Sequence, residues 1–109
     1  MIHILFLLLV AHAIADYPLQ GDFLARAKNR TAPIPGVPWW QALGAHALIH
    51  AGGVGIVTGS ATLGACEFFA HWAIDDSKCC GRLTFNQDQG LHFVCKVAWA
   101  ALALSGGTT

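Results

Sequence analysis

Three side chains able to bind a cation recur every fourth residue within one apolar stretch of the chain: Glu67, His71 and Asp75. On an α-helix this spacing places them on one face, each within reach of the next. An apolar helix gains no solvation from two acids and an imidazole on one stripe. Inside a membrane such groups are costly unless they have partners or a function. The stretch therefore predicts a polar site inside a helical bundle.

The other three apolar segments each supply a similar pair at four-residue spacing. Imidazoles mixed with carboxylates suit zinc, manganese or iron, and the facing helices of a bundle commonly build metal sites from such pairs. We predict a divalent metal, with zinc favoured. Its predicted ligands are His12, Asp16, His46, His50, His71, Asp75 and His92.

Two further carboxylates, Glu67 and Asp88, are candidates for a general base. Together with the ligands they exceed one tetrahedral site. Either two metals bind, or the surplus groups orient the imidazoles and accept protons. The alternatives to a metal site are structural polar packing held by salt bridges and a proton relay.

Composition favours a polytopic membrane protein. Hydrophobic residues make up 55% of the 109 residues and charged residues only 11%, against about 25% charged in soluble domains. The net charge is zero and there is no basic tract, so nucleic acid is not an expected partner. No zinc-knuckle spacing relates the cysteines, which we expect to be free thiols: Cys66, Cys79, Cys80 and Cys95.

The expected fold is all-α: a four-helix transmembrane antiparallel bundle with short connections, forming one membrane domain over residues 1–109. Pro18 is expected to bend the end of the first helix. A signal peptide cleaved after Ala15 is the alternative for the first segment, and we favour a retained helix because the n-region has no Lys or Arg. The predicted helices are 2–20, 41–58, 61–76 and 87–104, with a proline-rich loop at 31–38.

Basic residues cluster in the first and third connections. Arg26, Lys28 and Arg30 lie in the first, and Lys78 and Arg82 in the third. In an alternating bundle these connections share a side, so the positive-inside rule predicts a bacterial inner-membrane protein with both termini periplasmic. The same topology brings the four polar pairs to one depth near the cytoplasmic face. Lys96 belongs to neither connection, because it lies within the fourth predicted helix.

Four ordered motifs resemble a family of small bacterial and phage membrane proteins, domain of unknown function 3307. They are His12-x-x-Ala-Asp16-Tyr-x-Leu-Gln20-x-Asp22, His46-x3-His50, Glu67-x3-His71-x-x-Ile-Asp75-x-x-Lys78 and Phe85-x-x-Asp88-Gln89-x-x-His92. The resemblance implies an inner-membrane protein without an established activity. It adds Gln20, Lys78 and Gln89 as substrate-binding or ligand-orienting residues. A more distant resemblance to membrane metal-dependent hydrolases implies hydrolysis. Pro18 and the glycine-rich second helix depart from the family pattern.

These observations predict a metal-dependent hydrolase of a phosphorylated or lipid-like substrate. The alternative is a phage-encoded membrane interaction protein, acting in host interference, superinfection or lysis, whose polar core is structural. Expected partners are membrane lipid and either a second copy of the chain or a host membrane protein, since glycine-rich helix faces favour lateral association.

Overall fold

The computed structural model describes residues 1–106, and every regular element in that range is a helix. This confirms the all-α prediction, but the described residues form five helices where four were predicted. Residues 107–109, which the predicted domain includes, lie outside the described residues. The helices are α1 (Ile2–Asp16), α2 (Gly21–Ala27), α3 (Trp39–Thr58), α4 (Ala61–Cys79) and α5 (Phe85–Ser105).

The predicted first helix, 2–20, is too long, because α1 ends at Asp16. Pro18 cannot donate a backbone hydrogen bond, and its ring clashes with the preceding helical turn. Gly21 has φ +64°, a left-handed conformation that glycine adopts without steric cost. The chain therefore turns through 85° and begins the unpredicted helix α2.

The remaining predicted helices correspond to α3, α4 and α5, which extend them by one to three residues at one or both ends. Side chains cap the starts of α4 and α5. The Ser60 hydroxyl accepts a hydrogen bond from the Leu63 amide at the start of α4. Thr84 and Gln87 form a reciprocal capping box at the start of α5. The proline-rich stretch 31–38 forms part of the irregular connection between α2 and α3.

Four of the helices, α1, α3, α4 and α5, form an antiparallel bundle. At one end a buried apolar cluster joins all four through Leu8, Val54, Leu63 and Ala100. The buried histidine and charged side chains lie from the middle of the bundle toward the other end, where α1 and α4 finish and α3 and α5 begin. The sequence thus divides the interior into an apolar half and a polar half.

Helices α3 and α4 pack closely because small residues face each other. A Cβ atom built on Gly64 would lie 3.0 Å from the Ala51 carbonyl oxygen and 3.5 Å from the Gly55 Cα. A Cβ atom on Gly52 would meet nothing within 4 Å. Close backbone approach at such positions is a common way for helices in membranes to associate.

Within the described residues no single helix is both long and apolar enough to cross a bilayer. The bent pair of α1 and α2 reaches the required length and hydropathy when the two helices are taken together.

We predict that Gly64→Ala destabilises the protein while Gly52→Ala does not. The new methyl group at Gly64 overpacks the α3–α4 contact, which typically costs about 1–3 kcal/mol. At Gly52 it enters open space and gains up to about 1 kcal/mol of helix propensity. Thermal unfolding of the two variants, followed by circular dichroism, measures the difference. Equal melting temperatures would contradict the close approach.

Candidate metal centre

The seven predicted ligands converge in the polar half of the bundle. The histidine rings contact one another across all four helices: His50 stacks on His71 with centroids 3.8 Å apart, and His71 stacks on His92 at 4.3 Å. The centroids of the His12 and His50 rings are 5.0 Å apart. Helices α1, α3, α4 and α5 each contribute at least one member, as the alternating topology predicts.

One set of four side chains has the geometry of a metal site. Asp16, His46, His50 and His71 offer ligand atoms that all lie within 4.8 Å of one another. Asp16 Oδ1 lies 2.9 Å from His50 Nε2 and 3.2 Å from His46 Nε2. These groups could hold a metal ion.

Several ring nitrogens in this set have no hydrogen-bond partner. Both nitrogens of His46 and the Nε2 of His71 are buried and unpaired. Leaving a buried polar atom unpaired costs about 1–3 kcal/mol. His50 and His71 are also too close to be charged together without strong repulsion. Neutral imidazoles with free nitrogens are the form that binds metals, so the residues fit a cation.

Asp75 lies beside the first set. Its Oδ2 is 3.6 Å from His46 Nε2 and 3.7 Å from His71 Nε2. The same oxygen accepts a hydrogen bond from Lys28 Nζ at 2.6 Å. Asp75 is therefore the point where the imidazole cluster meets a buried ammonium group.

Glu67 orients the cluster from the apolar side. Its Oε2 lies 3.0 Å from His71 Nδ1. Its Oε1 accepts a hydrogen bond from Trp99 Nε1 at 2.8 Å and lies 2.9 Å from Lys96 Nζ. A carboxylate whose two oxygens are both occupied fixes the ring of its histidine partner.

Gln89 connects His12 to Asp16. Its side-chain oxygen lies 3.1 Å from His12 Nε2, and its amide nitrogen donates to Asp16 Oδ2 and to Asp88 Oδ2, both at 3.1 Å. Gln20 also contacts the cluster, because its amide nitrogen donates to the Asp16 carbonyl oxygen at 3.2 Å. These two glutamines lie where the family resemblance implied orienting residues.

Lys78 stays outside the cluster. Its ammonium lies 5.2 Å from the centre of the Phe85 ring, and it lines a polar cleft of about 260 Å³. Asp16, Asp75 and Asp88 form the inner wall of this cleft. A small polar molecule could therefore reach the candidate ligands from the end of the bundle.

The charges of the cluster do not balance. Four carboxylates face two ammonium groups, which leaves two negative charges when the imidazoles are neutral. Uncompensated charge is expensive in a poorly solvated interior. A divalent cation would restore the balance. The carboxylates are Asp16, Glu67, Asp75 and Asp88, and the ammonium groups are Lys28 and Lys96.

Three residues of this network were not predicted. Lys28 was assigned to a charged loop, Lys96 had no partner, and Trp99 was interpreted as an anchor at the membrane interface. Lys96 lies four residues after His92, which lies four after Asp88, so the spacing places all three on one helix face. This spacing could have assigned Lys96 to the polar cluster. Lys28 reaches Asp75 only because the chain turns back after Asp16, and the sequence pattern does not reveal that turn.

A partly exposed ion pair outside the cluster joins the connection after α2 to the last turn of α4. Arg30 Nε donates to Asp76 Oδ1 at 2.9 Å, and Asp76 raises the pKa of Arg30 above its ordinary value by this hydrogen bond and by its charge. The Thr31 hydroxyl donates to the Cys79 carbonyl oxygen at 3.3 Å. The connection that follows α2 therefore lies at the same end of the bundle as the end of α4.

Comparison with known proteins identifies the family. The family model described as "Protein of unknown function (DUF3307)" matches residues 4–106. The chain therefore belongs to this family. No curated protein and no solved structure matches the chain.

We predict that Lys28→Met strongly destabilises the metal-free protein. It leaves Asp75 without its ammonium partner, and breaking a buried pair in this way costs about 3–5 kcal/mol. Chemical denaturation in the presence of a chelator measures the loss.

The matched control is Arg30→Met, which removes the same charge from the partly exposed pair with Asp76. We expect its unfolding free energy to stay near that of the unmodified protein, since exposed pairs contribute little. Equal effects of the two substitutions would contradict a buried role for Lys28.

Proposed function

We propose that this member of the DUF3307 family is a metal-dependent hydrolase acting on a phosphorylated or lipid-like substrate. One observation carries the proposal: the ligand set of Asp16, His46, His50 and His71 borders a polar cleft through Asp16. Three imidazoles and one carboxylate suit zinc, with manganese or iron as alternatives.

A bound divalent cation would activate water and polarise an ester or phosphoryl oxygen. The surrounding side chains hold the ligands in place: Glu67 fixes His71, and Gln89 holds one oxygen of Asp16. Lys78 offers a positive charge at the cleft for a phosphate group. In the reaction, the water oxygen bonds to phosphorus, the bond to the alcohol oxygen breaks, and the alcohol leaves with a proton.

The structure separates the two carboxylates predicted as general bases. Glu67 has both oxygens occupied and does not line the cleft. Asp88 lines the cleft, and its Oδ1 has no hydrogen-bond partner. Asp88 is therefore the better placed of the two, with an oxygen available to a proton from water or to a cation.

Our proposal places this site in a bacterial inner membrane. The outward surface is rich in large apolar side chains; Ile56 is 84% exposed, Ile2 83% and Phe69 71%. The polar side chains instead face inward, and they lower the mean hydropathy of each helix without contacting lipid. Such an arrangement suits a lipid environment, where intramembrane polar groups face the bundle interior.

The charge distribution supports an orientation for the proposed membrane protein. Arg30, in the first basic connection, pairs with Asp76 at the end of α4, so this connection lies at the end of the bundle that carries Lys78 and the cleft. The positive-inside rule would place this end in the cytoplasm and both termini in the periplasm. The substrate would then come from the cytoplasmic side.

A second candidate function is interaction with another membrane protein, with the polar cluster acting as structural packing. It is favoured by an apolar groove of about 500 Å³ on α3 and α4, lined by small residues and by Leu48, Phe68 and Phe69. A groove of this kind would accept a partner helix. Metal content distinguishes the two candidates.

We predict that the purified protein contains at least one equivalent of zinc, manganese or iron. His46→Ala combined with His71→Ala should lose it, because two of the four ligands are removed. Elemental analysis by mass spectrometry measures the content. The metal-loaded wild type should hydrolyse p-nitrophenyl phosphate or a phospholipid, and a chelator should abolish the reaction.

His3→Ala is the control, since His3 is exposed and lies outside the cluster. This variant should keep its metal and its activity. A folded wild-type protein that stays metal-free after incubation with zinc, manganese and iron would overturn the proposed function and favour the interaction protein.

We also predict the membrane orientation from labelling of single cysteines in a cysteine-free background. Ala61→Cys lies on the exposed surface at the apolar end, and Asn86→Cys is exposed at the cleft end. In cells whose outer membrane is permeabilised, an impermeant maleimide should label the first variant and spare the second. The reverse pattern would contradict the orientation, and labelling of both would contradict membrane insertion.

A further inference from the structure

Building on the proposed function, we infer that Asp75, Asp88 and His92 bind a second divalent cation beside the first. The site is then a binuclear centre whose preferred substrate is a phosphomonoester dianion. Three features of the polar cluster carry the inference: a second set of ligand atoms, unpaired atoms within that set, and the charge that two cations would give the cleft.

The second set is as compact as the first. Asp75, Asp88 and His92 offer ligand atoms that all lie within 4.8 Å of one another. All three residues are at most 3% exposed. Asp88 and His92 are four residues apart on α5, so they share a face, and Asp75 approaches from the last turns of α4. Carboxylates and imidazole from two rigid helices form a preorganised ligand set.

Two atoms of this set are buried without partners. Asp88 Oδ1 and His92 Nδ1 make no hydrogen bond. The distance from Asp88 Oδ1 to His92 Nε2 is 3.4 Å, yet these atoms are not hydrogen bonded either. A buried carboxylate oxygen without a donor has lost its hydrogen bonds to water and has formed none within the protein. A cation between the two side chains would supply the missing interaction.

The two ligand sets are neighbours. His92 stacks on His71, a member of the first set, with centroids 4.3 Å apart. Asp75 Oδ2 lies within 3.7 Å of nitrogens on His46 and His71, also members of the first set. Binuclear hydrolytic centres hold their metals about 3.5–4 Å apart. Asp75 belongs to the second set and borders the first, so its carboxylate could hold either cation.

A different triple, Glu67 with His71 and His92, is also compact, but its charges argue against a cation there. Glu67 already pairs with the Lys96 ammonium at 2.9 Å, and a metal would lie against that buried charge. Lys28 is likewise close to Asp75, at 2.6 Å. However, Lys28 also donates to Gln20, so it keeps a partner when Asp75 turns toward a cation.

Charge then indicates the substrate. Without metals the cluster carries two uncompensated negative charges, and two divalent cations would convert this to two positive charges. A phosphomonoester dianion in the cleft of about 260 Å³ would restore neutrality. A neutral carboxylic ester would leave the two positive charges uncompensated. The binuclear centre therefore favours phosphomonoesters within the broader class proposed above.

Titration of the metal-free, full-length protein with Mn²⁺ tests the inference. The wild type should bind two equivalents, and the electron paramagnetic resonance spectrum should show a spin-coupled pair. Asp88→Asn should bind one equivalent with the uncoupled six-line signal. Asp76→Asn is the matched control, since Asp76 pairs with Arg30 outside the cluster. It should keep two equivalents and the coupled signal.

The wild type could instead bind a single equivalent that Asp88→Asn keeps and the double variant at His46 and His71 loses. That result would overturn the second site and leave the proposed function standing. It would make Asp88 a proton acceptor alone. A wild type that binds no metal would overturn both. If Asp88→Asn does not fold, the wild-type spectrum decides: a coupled pair supports the binuclear centre, and an uncoupled signal at saturation contradicts it.

With the binuclear centre loaded, the turnover of p-nitrophenyl phosphate should exceed that of p-nitrophenyl butyrate by at least about tenfold, a difference of about 1.4 kcal/mol in activation free energy. Equal turnover of the two esters would contradict the phosphomonoester preference, whereas the metal count would still decide the second site.

Discussion

The structure depends on one electrostatic constraint: a small helical bundle buries four carboxylates and two ammonium groups among five neighbouring imidazoles. A buried charge without a partner is far more costly than any single apolar contact is favourable. The carboxylates and ammonium groups therefore fix the relative positions of the helices. This network leaves several buried ring nitrogens without a hydrogen-bond partner, among them both nitrogens of His46 and the Nε2 of His71.

Helix periodicity and antiparallel packing make the cluster possible. A four-residue spacing keeps each pair on one face of its helix. Alternating directions then bring the end of α1, the start of α3, the end of α4 and the start of α5 together. The apolar half of the interior closes the opposite end through Leu8, Val54, Leu63 and Ala100. The apolar core and the candidate metal ligands are thereby kept apart in a chain of 109 residues.

The sequence predicts most of this arrangement, because its signals are periodic. The three long helices, their polar pairs and the convergence of the histidines follow from spacing and from alternation. Helix α2 does not follow, since residues 21–27 have no distinctive pattern and the turn depends on Pro18 and on the left-handed Gly21. Consequently Lys28, which meets Asp75 only through that turn, was mistaken for a loop charge. Lys96 and Trp99 meet Glu67 across helices, and a single-helix pattern cannot specify such a contact.

The most direct test of the central claim, that the polar half of the bundle is a metal centre, is X-ray absorption spectroscopy of the zinc-loaded protein. We expect nitrogen and oxygen ligands at about 2.0–2.1 Å with the outer-shell scattering of imidazole. Sulfur ligands at about 2.3 Å would instead assign the zinc to the free cysteines and contradict the account. A zinc ion with water ligands alone would contradict it as well.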